Sequence, residues 1–572
     1  MTTRDTIYSH DDGGRRGASV LDPGVTRLPP ERDGAGNVEY KTKLDLASEA
    51  RTTHLATQLQ WRLAEGNGQA LYVVGVHDDG EVVGISEAEL AATVATIRRM
   101  AHELDGARVV SVEQRALAGG GGGGGGGRVV AEVRVAQHQA ALPQTELRVA
   151  VLGDHGAGKS SILGCLTYGE ADDGRGKARL NLLRHQHELE SGRTSSITLE
   201  TVGFAADGAL QNYTNNRTAE QIHQRSRHIV SFIDTCGHAK HLKTTARAIA
   251  GHSPQALCVV VAADAPAVPA PARDYVLIAA ALGLPLAVVV SKMDIAAKAA
   301  FSALMRDLVA ALDAALPGRS KCVVADAPPP AALAADTMRL AVVPIFTTSA
   351  VRSVGFDALT AVLRCLRAPR PPADRAAPLE FHIEHVYSVD RVGAVATGWV
   401  ASGAVESAAA AAGAAARPLA VGPDAAGAFA DVDVTSIHTL RIPTATARAG
   451  FSAALAIQPR AALPVCKGMV ILDAARAAKC TSSEFTADVV FLDPAAAAAQ
   501  TATVHIRAAY HLAHIVEVVR AAPQEPAAAG ARAVVRLRLD GGAQDYVRPG
   551  MPVIARDGRG LIFAGRISAA RP

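Results

Sequence analysis

Between Leu147 and about Leu366, apolar runs of strand length recur at wide intervals: Leu147 to Leu152, Ile229 to Ile233, Leu257 to Ala262, Pro285 to Val290 and Val342 to Phe346. Helix-length segments separate them, and that alternation predicts a parallel sheet with crossover helices. The longest apolar run, Val276 to Val290, falls short of the ~20 residues a membrane span needs and is broken by Pro285. It reads as a core helix feeding a core strand. Beyond the Pro-rich stretch Ala368 to Pro378, short alternating strands with Gly and Pro turns predict barrels or sandwiches.

The N-terminal part reads differently. A helix-like stretch ends at Gly66-Asn67-Gly68, Ala70 to Val76 reads as a strand, and the turn Asp78-Asp79-Gly80 leads to Glu81 to Val83, predicting a hairpin. Ser86 and Glu89 form a capping box for a helix running to about Leu104. These elements predict a small α+β domain over residues 37–145, behind a leader, residues 1–36, whose composition lacks periodicity and predicts disorder. The nine glycines from Gly119 to Gly127 read as a flexible loop insertion. Ala408 to Ala416 and Ala495 to Ala499 read as loop expansions, although an Ala run equally favours helix.

Length changes this picture little: 572 residues exceed one core, so several domains are expected. Hydrophobic content of 49% with 4% aromatics places most of the apolar fraction on Ala and Val. With 58 basic and 55 acidic residues the net charge is +3, so no global field announces a nucleic-acid or membrane partner. The seven cysteines have no CxxC spacing, which argues for reduced thiols in a cytosol-like compartment. The N-terminus has no apolar stretch like that of a signal peptide, and its acidic residues count against a transit peptide. A cytoplasmic protein is expected.

Candidate chemistry begins where the strand Leu147 to Leu152 runs into Gly153, Asp154, His155, Gly156, Ala157, Gly158, Lys159, Ser160 and Ser161, a GxxxxGK[ST] loop in strand-loop-helix context. Its backbone N–H groups would cradle a β-phosphate, Lys159 would reach the β and γ oxygens, and Ser160 would ligate Mg²⁺. The strand Ile229 to Ile233 ends in Asp234-Thr235-Cys236-Gly237-His238, a DxxG element. Asp234 would hold the metal through water, and the Gly237 amide would sense the γ-phosphate. Ser291, Lys292 and Asp294 after one strand, with Ser349, Ala350 and Val351 after another, form a guanine-reading pair: the Asp carboxylate accepts from guanine N1–H and N2–H₂, which adenine does not offer. Ser291 stands where Asn is usual, so one supporting amide contact is expected to be missing. Thr194 lies where a mobile switch supplies a hydroxyl to Mg²⁺ and the γ-phosphate. The nearby His185 and His187 lack further ligands and read as part of a solvated basic face.

The segments RHQHELESGRTSS, DTCGHAKHLKTT and QWRLAEGNG, with VGAVATGWV and RDGRGLIFAGRI farther on, resemble the eukaryotic GTP-binding protein 1 and 2 family, relatives of elongation factor Tu and elongation factor 1-alpha. The resemblance covers roughly residues 37–572. It implies an α/β P-loop GTPase domain (residues 146–369) followed by two antiparallel β-barrels (378–474 and 482–572). It also implies GTP hydrolysis with Mg²⁺, in which His238 orients the attacking water and Lys159 stabilises charge. The partners implied are tRNA, ribosomes and RNA-decay machinery, for a monomeric chain with no membrane contact. Gly156, His155 and Ser291 depart from the elongation-factor pattern, so a hydrolysis-impaired GTP-dependent binding module is the alternative.

Overall fold

A computed structural model of the chain describes residues 19–30, 36–44, 49–66, 68–104, 107–117, 128–137, 145–183, 188, 194, 196–324, 329–368, 377–390, 392–407, 417–460, 463–477, 480–493, 499–520 and 529–571. The chain divides into two compact units, residues 1–141 and 142–572. The nine-glycine run, the Ala408 to Ala416 run and the His185 and His187 segment lie outside the described residues.

In the first unit, strands β1 (Val38–Lys41), β2 (Gln69–Val74), β3 (Ala107–Ala116) and β4 (Val129–Gln137) form one sheet in the order β1-β2-β4-β3. Helices α1 (Glu49–Glu65) and α2 (Glu87–Glu103) bury Leu59, Leu63, Ile97 and Met100 beside Tyr72 and Val74 of β2. The Ser86–Glu89 capping box forms in both directions. Two expectations are corrected. The hairpin is reduced to an isolated bridge, Val76 to Val82, because Gly75 and Gly84 both adopt positive φ and turn the chain out of the ladder. Residues 19–30, read as part of a disordered leader, instead pack: Val20 and Leu28 are buried with Tyr40, Leu71 and Val73. Four apolar residues, Val20, Leu21, Val25 and Leu28, supply that packing within a segment otherwise rich in polar and turn residues.

In the second unit, strands β5 (Thr145–Gly153), β6 (Thr198–Phe204), β7 (Leu210–Gln211), β8 (His228–Asp234), β9 (Ala256–Ala262), β10 (Leu286–Ser291), β11 (Ser320–Val323) and β12 (Val342–Thr347) build an eight-stranded sheet in the order β11-β12-β10-β9-β5-β8-β6-β7. β11 through β8 pair in parallel, as the alternation predicts, and the β6–β7 edge is antiparallel. Helices α3 (Lys159–Tyr168), α4 (Ala219–Arg225), α5 (Leu242–Gly251), α6 (Ala270–Leu282), α7 (Lys298–Ala315), α8 (Pro330–Met338) and α9 (Phe356–Cys365) connect the strands. Apolar clusters lie on both faces, one around Leu257, Val259 and Val288, the other around Val149, Val230 and Phe346.

Beyond residue 377, two antiparallel β-barrels follow. The first is closed by pairing Leu419–Gly422 with Ala430–Thr439. The second closes through Glu484–Phe491 against Leu561–Arg571. A buried network joins β5 to the first barrel: the Arg148 guanidinium donates to Glu384, to the His252 carbonyl at 2.8 Å and to Ser452 Oγ at 2.9 Å, and stacks 4.4 Å from the Trp399 ring. Arg566 of the second barrel donates to the Leu282 carbonyl at the end of α6. Among the described residues no helix is long and apolar enough to cross a membrane.

Candidate functional site

The phosphate loop hangs between β5 and α3, and glycine is required along it. Gly153 lies so close to β9 that a Cβ there would stand 2.3 Å from the Val260 carbonyl, and Gly156 and Gly158 adopt φ of +73° and +87°. No side chain caps the N-terminus of α3, so its amides are left for an anion. Lys159 is buried and donates to the carbonyls of Gly153 and Asp154, both at 3.0 Å. Burial lowers its proton affinity, and the charge of Asp234 works against that shift.

Ser160 donates to Asp234 Oδ2 at 2.7 Å and meets Thr194 Oγ1 at 3.0 Å. Asp234 is fully buried at the end of β8. Its Oδ1 has no hydrogen-bond partner, and burial raises its carboxyl proton affinity against the opposing charge of Lys159. An orphaned carboxylate oxygen beside two hydroxyls is a hard-oxygen donor set that fits Mg²⁺, which in phosphate sites takes few protein ligands and fills the rest with water and substrate.

A Cβ on Gly237 would lie 2.4 Å from Lys159 Nζ and 2.6 Å from the Asp154 carbonyl, so only glycine lets this segment rest on the phosphate loop. His238 follows. Its Nδ1 accepts the Lys240 amide at 3.1 Å, so the neutral ring carries its proton on Nε2. His155 stands edge-on to that ring with centroids 5.6 Å apart.

The base-reading segments meet on the far side. Ser349 donates to Asp294 Oδ1 at 2.6 Å, and the Met293 amide donates to the Thr348 carbonyl at 3.2 Å. Lys292 takes a left-handed φ of +57°, and its ammonium lies 3.5 Å from Asp264. The Ala350 carbonyl accepts the Asp172 amide at 3.0 Å, while Val351 is exposed beside Gly174. Ser291, from which a contact was expected to be missing, instead donates to the Ala157 carbonyl at 2.6 Å and ties the base-reading strand to the phosphate loop.

The profile described as Elongation factor Tu GTP binding domain matches residues 144–368. GTP-binding protein 2 of Mus musculus and that of Homo sapiens are each 35% identical over 560 residues, covering 96% of this chain and 88% of theirs. GTP-binding protein 1 of Xenopus laevis is 31% identical over 471 residues, 81% of this chain and 69% of its own. The chain belongs to the GTP-binding protein 1 and 2 family of translational GTPases. Among solved structures, the GTPase-like domain of Saccharomyces cerevisiae Ski7 bound to GTP aligns at a TM-score of 0.53 and 11% identity, over 75% of this chain and 98% of that one. Translation elongation factor SelB of Methanococcus maripaludis with a GTP analogue aligns at 0.50 and 15%, over 75% and 80%. Both share the fold of a G domain with β-barrels.

As a translational GTPase, the chain hydrolyses GTP. The structure gathers Gly153 to Ser161, Thr194, Asp234, Gly237 and His238 around one loop, and Ser291, Lys292, Asp294 and Ser349 to Val351 around the next. Sequence reasoning missed three carboxylates there. Asp172 accepts the Gly174 and Gly176 amides at 3.0 and 2.8 Å and braces the base loop through Ala350, Asp264 faces Lys292, and buried Glu188 accepts the Ser196 amide and hydroxyl at 3.1 Å. The alternation of Asp172 with Gly174 and Gly176 is an Asx-turn signal that would have found the first.

Proposed function

We propose that this chain is a cytoplasmic, monomeric GTPase that uses Mg²⁺ and couples GTP hydrolysis to docking on tRNA or ribosomal RNA, in elongation or translational quality control. In this reading Lys159 and the loop amides bind the β and γ phosphates, and Asp294 reads guanine. Ser160, Thr194 and, through water, Asp234 hold Mg²⁺, which when bound neutralises charge on the phosphate oxygens. His238, donating from Nε2, orients the attacking water. Phosphoryl transfer asks the protein mainly for positioning and charge stabilisation, so these residues suffice for a slow intrinsic rate that a large partner accelerates.

The observation that carries the RNA reading is a basic junction where α5 meets both barrels. Lys243 and Arg247 of α5, Lys467 of the first barrel and Arg556 of the second converge around His505 and Tyr510. The Lys243 ammonium sits 3.9 Å from the Tyr510 ring centre, and Arg556 Nε lies 3.1 Å from His505 Nε2. Arg247 Nε and His505 Nδ1 are buried without hydrogen-bond partners. Burial first, then Arg556, Lys243 and Arg247, hold His505 down at about 3. Cations that no carboxylate pairs among the described residues, flanked by an aromatic ring and adjoining the helix after His238, suit a phosphate backbone.

GTP turnover measured with and without ribosomes tests the proposal, together with recovery of RNA on the chain locked with a non-hydrolysable GTP analogue. Ribosome-stimulated turnover and nucleotide-dependent RNA recovery are the expected results. RNA recovery without any turnover would leave a binding module directed at ribosome or RNA-decay partners. Absence of both stimulated turnover and RNA recovery would refute the reading.

A further inference from the structure

A second cationic site lies at the other end of the central sheet. β5 begins at Thr145 and ends at Gly153, so eight steps of about 3.3 Å separate this region from the phosphate loop. There a cleft of about 460 Å³ is lined by Thr145, Phe204, Gly208, His228 and three arginines, Arg227, Arg364 and Arg367. Among the described residues none of these arginines forms an ion pair with a carboxylate, although such pairs are common elsewhere in the chain. The Arg364 stem lies close to Gly208, where a Cβ would stand 3.0 Å from its Cδ. Arg367 is held by main-chain carbonyls, including that of Leu366 at 2.9 Å.

A second observation points into the same cleft. His228 is 2% exposed, and its Nε2 has no hydrogen-bond partner. Its Nδ1 lies 2.8 Å from the Thr145 hydroxyl, and the Phe204 ring stacks on it with centroids 5.9 Å apart. With Thr145 donating to Nδ1, the neutral ring presents Nε2–H as a donor. Burial and then the Arg367 charge hold its proton affinity down to about 3, against weaker backbone interactions with Leu363 and Thr145, so the ring is neutral and its Nε2–H, without a well-aligned acceptor, suits an oxyanion.

We infer that this cleft binds a small ligand carrying phosphoryl groups, separately from the nucleotide at the phosphate loop. Guanidinium forks grip phosphoryl oxygens in pairs, and three of them with one imidazole N–H exceed what a single surface anion needs. The volume falls within the range of small-molecule sites, about 300–1,000 Å³. It therefore suits a polyphosphate or a nucleotide. Phe204 is turned against His228, so recognition rests on the phosphoryl groups and not on stacking of a base.

The full chain, preloaded with Mg²⁺ and a non-hydrolysable GTP analogue so that the phosphate loop is filled, is titrated calorimetrically with inorganic pyrophosphate and, in a second arm, with ADP. Saturable binding is expected in at least one arm, and the arm that saturates separates a polyphosphate site from a nucleotide site. The double substitution Arg364→Ala with Arg367→Ala should weaken that binding at least tenfold, with GTP-analogue affinity, turnover and melting temperature retained. Should the double variant fold poorly, Arg367→Lys, which keeps the charge and loses the fork, should still weaken binding severalfold. Absence of saturable binding in both arms at millimolar ligand overturns the inference, as does wild-type affinity in the arginine variants.

Discussion

Ser349 donates its hydroxyl to Asp294 Oδ1 across 2.6 Å, and the Arg352 amide donates to Ser349 Oγ at 3.1 Å. The carboxylate assigned to the purine edge is thus oriented by a neighbouring loop before any ligand enters. Asp294→Asn should move preference from GTP toward xanthosine triphosphate, because the amide presents a donor where guanine N2 also donates. Competition binding with both nucleotides checks this, and full GTP affinity in the variant would remove Asp294 from base reading. Ser349→Ala should cost GTP affinity roughly twofold to tenfold, the worth of one hydrogen bond, without reversing the preference.

Lys159→Ala should weaken GTP binding at least a hundredfold, since two charge-assisted contacts of about 1.5 to 3 kcal/mol each are lost. Its removal also takes away a buried cation whose proton affinity is lowered by burial, so the fold should be retained. Fluorescent-nucleotide titration alongside circular dichroism separates the two effects.

His238→Ala should leave GTP affinity nearly unchanged and reduce ribosome-stimulated turnover about tenfold to a hundredfold, or roughly 1.4 to 2.7 kcal/mol. His155, 5.6 Å away ring to ring, is placed to substitute in part, so the double variant belongs in the same assay. Wild-type turnover in both variants would refute a positioning role for the histidine.

Glu384→Ala should destabilise the chain by up to about 3 to 5 kcal/mol, because it removes the nearer of the two carboxylates, Glu384 and Glu146, that face the buried Arg148 guanidinium. The Glu384 carboxyl is itself held down to about 2: burial pushes it up, but the charges of Arg148 and His252 outweigh that. A urea midpoint at neutral pH measures the loss.

Acid should weaken the fold well above the carboxylate range. His228 and His505 are held at about 3 and His385 at about 4, in each case first by burial, against 6.5 when unfolded. Folded proton affinity is depressed, so their contribution is complete above pH 6.5 and is lost as pH falls toward 4 and 3. Each adds a slope of up to about 1.4 kcal/mol per pH unit, before discounting for partial solvent access at His385. Glu384 adds a further loss below 4.5. Denaturation midpoints at pH 7, 6 and 5 should fall steadily, and His505→Gln should flatten that fall; equal midpoints from pH 7 to 5 would contradict it.

Much of the G domain was legible because its chemistry is local. GxxxxGK[ST] after a strand, DxxG after another and the Asp294 segment after a third each carry their own context, and the observed strands differ from the expected ones by at most two residues at their ends. The antiparallel edge at β6 and β7 was not legible, since the segments between Thr198 and Gln211 lack a long apolar run, and β6 is recruited by pairing with β8. Residues 19–30 were misread for a related reason: four apolar side chains among polar and turn residues set no period, and only a sheet face supplied elsewhere makes them core. The Ser291 contact was missed because its partner, the Ala157 carbonyl, is main chain and leaves no mark in the sequence.

Arg148 and Glu384 lie 236 residues apart along the chain, on different domains, yet they pair directly within one buried cluster that includes Glu146 and His252. Mutationally they are a single locus. A lineage that loses either residue alone passes through a chain with an unbalanced buried charge, and one that exchanges both for apolar side chains must also accommodate Glu146 and His252, which share the cluster. The G domain and first barrel are therefore expected to drift as a matched pair, and chimaeras joining a G domain to a barrel from a relative should fail or fold according to whether both positions travel together.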